Sequence, residues 1–135
     1  MKYTNEQLCQ MAIDASKRAY SPYSGCKVGA ALLTKSGEVY LGCNIENASY
    51  SPTICAERVA FVKAVSEGER EFDAIAIVGE IDGKISESFP PCGVCRQVMS
   101  EFCDASFKVL MVTGEDSFKE VALGELLPYS FKLEN

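Results

Sequence analysis

Apolar residues recur along this chain with the periods of helices and of strands. A helix is predicted over 4–19, because Thr4 and Gln7 have the spacing of a capping box and apolar residues at helical spacing follow them. Alternating or continuous apolar runs and turn residues define the remaining segments. These are strands at 27–33 and 39–43, a helix at 53–67, a strand at 74–79, a loop at 80–91, a helix at 93–102, strands at 107–112 and 118–122, and a helical turn at 123–127.

The order of these elements predicts an α/β fold. Helices connect the second strand to the third and the third to the fourth, and right-handed crossovers of this kind join parallel strands. The link between the fourth and fifth strands is too short for a crossover, so these two should form an antiparallel hairpin. The expected architecture is a three-layer α/β/α fold around a five-stranded mixed sheet, with residues 1–135 forming a single domain.

Charge and composition narrow the classes of function. The net charge is −6, whereas a general nucleic-acid binder needs a basic surface, so a small uncharged substrate is the better expectation. No apolar run reaches membrane-spanning length, and the first residues lack the apolar segment of a signal peptide. We therefore expect no membrane partner and a cytoplasmic location. Seven cysteines in a reducing compartment suggest metal-binding or catalytic thiolates before disulfides.

Two short clusters carry the candidate chemistry, each following a polar loop and opening a predicted helix. Cys92 and Cys95 are three residues apart, so their sulfurs should lie on one side of a helix, one turn apart. This geometry suits two bonds to one zinc ion, and Cys55 at the other helix start could supply a third. Three protein ligands leave the fourth tetrahedral position for water, which is typical of a catalytic zinc site.

The residues next to the cysteines complete this hypothesis. Three thiolates on a divalent zinc leave a net negative charge, which weakens the metal as a Lewis acid. Arg58 lies three residues after Cys55, and Arg96 lies one residue after Cys95. These two are the candidates to offset that charge by donating hydrogen bonds to sulfur. Glu57 lies in the same first turn as Cys55 and could move a proton without being a ligand.

The cysteines also allow other interpretations. They could be buried structural thiols, a redox dithiol of Cys92 and Cys95, or a closed structural zinc site completed by Cys43 or Cys103. None of these explains a carboxylate at Glu57, and the zinc ligands do not form two Cys-x-x-Cys pairs. The cysteines outside the two clusters are more simply small apolar core residues: Cys9, Cys26, Cys43 and Cys103.

Cys-x-Glu followed by Pro-Cys-x-x-Cys resembles the signature of the cytidine deaminases, in the form with cysteine in place of the first histidine. The resemblance extends over most of the chain, through Ser21–Ser24, Val28–Leu32, Gly42–Ala48 and Glu125–Pro128. It implies a cytidine-deaminase-like fold holding one Zn²⁺ per subunit. It also implies hydrolytic deamination of cytidine and deoxycytidine to uridine and deoxyuridine with release of ammonia, in pyrimidine salvage.

The resemblance also implies roles for individual positions. Glu57 matches the residue that shuttles protons. Asn44 and Glu46 match residues that hold the ribose 3′-hydroxyl. The backbone N–H of Cys92 and the carbonyl of Ala56 match groups that contact the base.

Two further matched positions bear on subunit assembly, and two other positions depart from the family pattern. Tyr50 and Phe131 match residues that reach a neighbouring subunit's site in the small-subunit members, which are homotetramers, so the resemblance implies a homotetramer. Cys26 stands where the family usually has an aromatic residue that packs against the pyrimidine. This departure implies either weaker apparent affinity or another ring in its place. Val59 replaces a common threonine, with only local packing effects expected.

Rival functions remain within the same zinc signature and outside it. Guanine, adenosine-in-RNA and blasticidin-type deaminases share the motif, but polynucleotide deaminases need basic channels that an acidic chain is poorly suited to form. The segment Asn44–Asn47 favours a nucleoside over a free base. A non-catalytic zinc protein of this fold is the alternative of another class, and the presence of Glu57 argues against it.

Overall fold

The computed structural model describes residues 3–133, so the first two and last two residues of the predicted domain 1–135 lie outside the described residues. The helices are α1 (Asn5–Ser16), α2 (Ala56–Ser66), α3 (Gly93–Phe102) and α4 (Leu123–Leu126). The strands are β1 (Cys26–Thr34), β2 (Val39–Cys43), β3 (Phe72–Ile81), β4 (Lys84–Ile85), β5 (Lys108–Gly114) and β6 (Ser117–Ala122).

The first helix begins as its sequence predicts and ends earlier. The Gln7 N–H donates to Thr4 Oγ1 over 3.1 Å, and the Thr4 N–H donates to Gln7 Oε1 over 2.9 Å, so the capping box is confirmed. The helix ends at Ser16 rather than at residue 19. Beyond it the chain turns, and Tyr20 pairs with Ile45 in an isolated bridge.

The second helix begins three residues later than predicted. Ile54 exchanges backbone hydrogen bonds of 3.0 Å with Ile45, which keeps the chain extended up to Cys55. Cys55 therefore caps α2 instead of lying inside it. This later start places the Cys55 side chain at the helix N-terminus, facing the loop that precedes α3.

The predicted loop at 80–91 is wrong at its beginning. β3 continues to Ile81, and β4 folds back on it in a short hairpin, with Glu80 opposite Ile85. The turn uses Asp82 and Gly83, whose φ values are 52° and 78°. A hairpin turn with two such left-handed residues is typical of the Asp-Gly pair.

A mixed sheet of strand order β2-β1-β3-β5-β6 forms the centre of the fold, and β4 pairs with β3 outside this path. β1 lies between β2 and β3 and is antiparallel to both, so β2 and β3 are parallel to each other, as their helical crossover predicts. β3 and β5 are parallel, and β5 and β6 form the predicted antiparallel hairpin. The five-stranded mixed sheet is confirmed, with one two-residue strand added.

Each face of the sheet is covered, which confirms the three-layer α/β/α prediction. Alternate residues of β1 point to opposite faces: Val28, Ala30 and Leu32 pack toward α2 and α3, while Ala31 and Leu33 pack toward α1. We name the first side the α2/α3 face. Between residues 3 and 133, no helix combines the length and the apolar character needed to cross a membrane.

Candidate active site

Two helix N-termini bring the candidate ligands together. Cys55 is the N-cap of α2, and Cys92 is the N-cap of α3, where its Sγ accepts a hydrogen bond of 3.4 Å from the Cys95 N–H. Cys95 lies in the first turn of α3 and is fully buried. Helix N-termini favour negative charge, so both positions are suited to ligands of a cation.

The three sulfurs have the spacing that a tetrahedral metal site requires. Cys55 Sγ and Cys92 Sγ are 3.7 Å apart, Cys92 Sγ and Cys95 Sγ are 3.3 Å apart, and all three lie within 4.8 Å of one another. Ligands bonded to one zinc ion at about 2.3 Å lie about 3.8 Å apart. Among the described residues, no disulfide involves these cysteines. The donor set and its geometry fit a zinc ion.

The protonation of the cluster also favours a bound cation. Hydrogen bonds from the Cys95 thiol and from Arg58 lower the pKa of Cys55. The adjacent Cys55 thiolate, followed by burial, raises the pKa of Cys95. Negative charges this close repel one another, and a cation bound between the three sulfurs would offset that repulsion.

The two arginines considered for charge compensation differ in their partners. Arg58 Nη2 donates to Cys55 Sγ over 3.4 Å, which is the contact expected of a residue that draws charge from the cluster. Arg96 instead donates from Nε to the Pro91 carbonyl and from Nη1 to the Leu126 carbonyl, each over 2.8 Å. The expectation that Arg96 hydrogen-bonds to sulfur is therefore wrong. Backbone carbonyls hold its guanidinium between the loop before α3 and the end of α4.

Glu57 is a buried carboxylic acid beside this cluster. Its side chain is 2% exposed, and its Oε1 has no hydrogen-bond partner among the described residues. Burial, together with the charge of the neighbouring Cys55 thiolate, raises the pKa of Glu57 to about 7. An acid with a pKa near neutrality can both accept and release a proton, which is the property of a general acid–base. The unpartnered oxygen indicates that its partner is a water or a substrate atom.

The carboxylate of Glu57 faces a cavity of about 240 Å³, which we name the Glu57 cavity. Its walls join the start of β1, the loop after β2, the start of α2 and the loop before α3. The lining residues are Val28, Asn44, Glu46, Thr53, Ile54, Cys55, Glu57, Phe89, Pro90 and Cys92. The walls are mainly apolar with a few polar groups, which is typical of a small-molecule site.

Asn44 and Glu46 both line the Glu57 cavity and are both held by the β1 region. Asn44 Oδ1 accepts from the Val28 N–H over 2.8 Å, and its Nδ2 donates to the Cys26 carbonyl over 2.9 Å. An amide retains a second N–H donor and a second lone pair after these bonds. Sequence reasoning named Asn44 and Glu46 as substrate contacts, and that role stays a prediction. It did not foresee that the Asn44 side chain also hydrogen-bonds to the backbone of β1.

The carboxylate of Glu46 accepts hydrogen bonds from the loop before β1. Its Oε1 accepts from the backbone N–H groups of Tyr23 and Ser24 over 2.9 and 3.1 Å, and its Oε2 accepts from the Ser24 hydroxyl. These hydrogen bonds, the hydroxyl first, lower the pKa of Glu46. The carboxylate therefore remains charged at neutral pH at the border between the Glu57 cavity and an adjoining depression.

Three of the proposed substrate contacts, Ala56, Tyr50 and Phe131, do not line the Glu57 cavity of their own chain. The Ala56 carbonyl lies against β2, where a Cβ atom on Gly42 would be 2.2 Å from it. Tyr50 is 81% exposed and lines the adjoining depression of about 350 Å³, together with Tyr23. Phe131 is 68% exposed, and its carbonyl accepts from Gln97 Nε2 over 3.1 Å.

Sequence reasoning missed most of the apolar wall of the cavity. Val28, Ile54 and Phe89 line it, and none of them was singled out as a site residue. Phe89 had a usable signal: it is an aromatic residue in an otherwise polar loop, directly before Pro90-Pro91-Cys92. Thr53 and Pro90 carried no such signal, because their place in the wall depends on how two loops approach each other.

Comparison with known proteins identifies the family. The family model described as the cytidine and deoxycytidylate deaminase zinc-binding region matches residues 2–111. The chain belongs to the cytidine deaminase family. The matched residues include the three clustered cysteines and Glu57, whereas Phe131 lies beyond them.

Individual cytidine deaminases resemble the chain over nearly its whole length. The cytidine deaminase of Sporosarcina psychrophila is 47% identical over 130 residues, covering 96% of this chain and 93% of the relative. That of Halalkalibacterium halodurans is 48% identical, covering 96% of each chain. The crystal structure of cytidine deaminase from Burkholderia pseudomallei superposes with a TM-score of 0.84 at 44% identity, covering 96% of this chain and all of the other.

Proposed function

We propose that this protein is a zinc-dependent enzyme that hydrolyses cytidine and deoxycytidine to uridine and deoxyuridine and releases ammonia. One observation carries the proposal above the others. The buried acid Glu57, with an unpartnered oxygen, lies beside three clustered thiols in a chain that belongs to the cytidine deaminase family. A structural zinc protein would have no use for a buried carboxylic acid next to its ligands.

The protein's own groups supply the proton transfers. Zinc held by Cys55, Cys92 and Cys95 would act as a Lewis acid and lower the pKa of a water molecule toward neutrality. Glu57 accepts a first proton from the attacking water at its free Oε1 and delivers it to the ring N3. It then accepts a second proton from the hydroxyl group newly attached to C4 and delivers it to the leaving amine, which departs as ammonia. A pKa of about 7 allows Glu57 to perform both steps at neutral pH. Arg58 offsets thiolate charge through its bond to Cys55.

The shape of the site supports a nucleoside as the substrate. The Glu57 cavity, of about 240 Å³, suits a pyrimidine ring, and the adjoining depression shares Glu46 and Thr53 with it. A ribose at this border would meet the charged Glu46 and the remaining donor of Asn44, both suited to a hydroxyl group. We propose these two residues as ribose contacts, and the backbone N–H of Cys92, the N-cap of α3, as a base contact.

Substrate class is tested by comparing a free base, two nucleosides and a polynucleotide. Zinc-loaded protein is incubated with cytosine, cytidine, deoxycytidine and a cytosine-containing single-stranded oligonucleotide, and ammonia release is measured. We expect turnover of both nucleosides and little of the other two. Preferential turnover of the oligonucleotide or of the free base would contradict the proposed substrate class. Removal of zinc by a chelator should abolish turnover, and added zinc should restore it.

We further propose that the enzyme is a homotetramer in the cytoplasm. Tyr50, Tyr129 and Phe131 each expose a large aromatic side chain, and such side chains are suited to burial against another copy of the chain. Seven unpaired thiols suit a reducing compartment. Light scattering after size-exclusion chromatography should give the mass of four chains, and the mass of one chain would contradict the tetramer.

A further inference from the structure

The ring of Phe89 lies on the sheet directly over Gly79. A Cβ atom added to Gly79 would be 2.2 Å from Phe89 Cδ1 and less than 3 Å from two other ring atoms. Gly79 is opposite Val28 in the pairing of β1 with β3, and both lie on the α2/α3 face. Because Gly79 has no side chain, the aromatic ring of Phe89 can occupy the space above it.

Cys26 is a second small side chain on this face of the sheet, diagonal to Gly79 in the pairing of β1 with β3. It precedes Val28 by two residues on β1, so it lies on the same face of the sheet, and it pairs with Ile81, two residues beyond Gly79. Side chains two residues apart on one face of a strand are neighbours within reach of a large ring. A bulky side chain at position 26 would compete with Phe89 for the same space.

Phe89 also faces the reacting groups. It is one of the walls of the Glu57 cavity, together with Val28, Ile54 and the sulfur-bearing residue Cys92. It is the single aromatic ring among the described residues lining that cavity. A planar heterocycle in a cavity of about 240 Å³ must pack against one of these walls, and an aromatic ring offers the best contact for it.

From this arrangement we infer that Phe89 is the aromatic contact of the substrate's pyrimidine ring, and that Gly79 and Cys26 are positioning residues that leave space for it. The inference rests on the proposed function, because it assigns the base of that substrate to one wall of the cavity. It also explains how a chain with Cys26 at this position can still provide an aromatic contact for the base. The ring is supplied from the loop before α3 instead of from β1.

The first test removes the ring and measures binding separately from chemistry. Zinc-loaded Phe89→Val should raise KM for cytidine about 3- to 10-fold, with kcat changed less, because the contact is made equally before and during reaction. The dissociation constant of the product uridine, measured by calorimetry, should rise by a similar factor. Phe118→Val is the matched control: Phe118 packs on the opposite face of the sheet, so KM should not change.

The second test moves the aromatic ring from the loop before α3 to β1. Cys26→Phe alone should raise KM, because the new side chain crowds Phe89, whereas Cys26→Phe combined with Phe89→Val should return KM to within about 2-fold of wild type. A ring with a merely structural role would not produce this rescue. Gly79→Ala, which must displace the Phe89 ring without removing it, should also raise KM, and it serves if Phe89→Val does not fold.

The outcomes separate this inference from the proposed function. Wild-type turnover of cytidine together with an unchanged KM in folded Phe89→Val would overturn the inference alone, as would a double variant no better than Phe89→Val. Absence of turnover by zinc-loaded wild type would overturn the proposed function and with it the role of Phe89.

Discussion

The guanidinium of Arg58 lies 3.4 Å from the sulfur of Cys55 and donates a hydrogen bond to it. The two residues are an N-cap and a first-turn position of the same helix, so the contact follows from the start of α2 at Ala56. A positive charge at this sulfur withdraws electron density from the cluster, which strengthens a bound metal as a Lewis acid.

Replacing Arg58 by glutamine should therefore weaken the metal site. We expect Arg58→Gln to lower zinc affinity or kcat by about 10- to 100-fold, which is the usual effect of losing a residue that hydrogen-bonds a ligand. Zinc competition with a chelating dye and steady-state kinetics measure the two effects. Arg70→Gln is the matched control, since among the described residues Arg70 donates to the backbone carbonyls of Val65 and Glu69 and to no sulfur. Equal behaviour of the two variants would contradict the role of Arg58.

The stability of the loop before β1 should depend on the charge of Glu46. Hydrogen bonds from Ser24 and Tyr23 hold the pKa of Glu46 below its ordinary value in the folded protein. Because the folded pKa is the lower one, the stabilisation is present above the ordinary carboxyl pKa and is lost as pH falls through the folded pKa.

Thermal melts test this dependence. Glu46→Gln should have a lower Tm than wild type at neutral pH, and the difference should shrink as the pH is lowered from about 7 to about 3. Ser24→Ala, which removes the hydroxyl donor, should reproduce part of the neutral-pH loss. A difference in Tm that stays constant over this range would show that the charge of Glu46 does not stabilise the loop.

A methyl group at Gly42 should disturb the zinc site from a distance. A Cβ there would lie 2.2 Å from the Ala56 carbonyl and 2.7 Å from the Ala60 nitrogen, so α2 would have to move away from β2. We expect Gly42→Ala to lower the free energy of unfolding by about 1–3 kcal/mol and to loosen zinc, because Cys55 begins this helix. Urea unfolding and zinc release to a chelator measure both.

Gly93 provides the contrasting variant. It directly follows the candidate ligand Cys92, yet a Cβ there meets nothing within 4 Å. Gly93→Ala should therefore keep both stability and zinc. If Gly42→Ala behaved like Gly93→Ala, the close approach of α2 and β2 would not control the position of Cys55.

Mixed oligomers test whether Phe131 serves a neighbouring subunit. Phe131 lies outside the Glu57 cavity of its own chain and is largely exposed. If it completes a neighbour's site, a Phe131→Ala chain with intact Glu57 can receive Phe131 from a Glu57→Gln chain. Co-refolding the two variants should then give more cytidine turnover than the sum of the separate samples. Turnover equal to that sum would place Phe131 outside any shared site.

The elements governed by local patterns could be predicted from the sequence. The capping box of Thr4 and Gln7, the hairpin of β5 and β6, and the parallel strands joined by helices all follow from short-range signals. The later start of α2 could not be predicted, because it depends on pairing between Ile45 and Ile54 across a loop. The two-residue strand β4 was too short to carry a periodic pattern.

The same distinction between short-range sequence signals and tertiary contacts applies to the candidate active site. The motif spacing pointed to Cys55, Cys92 and Cys95, whose sulfurs the structure brings within 4.8 Å of one another. Motif spacing could not tell the partners of Arg58 from those of Arg96, because these depend on side-chain direction and on the position of α4. The apolar wall of the cavity is likewise a product of tertiary structure.

The most direct test of the account compares wild type with Glu57→Gln in a single assay. Loss of cytidine absorbance in the ultraviolet is followed on both proteins, and zinc per chain is measured on each. We predict turnover by wild type, about one zinc per chain in both, and a kcat at least about 100-fold lower in Glu57→Gln, because a neutral amide cannot shuttle the proton. Full turnover by the variant, or zinc-loaded wild type inert toward cytidine and deoxycytidine, would contradict the account.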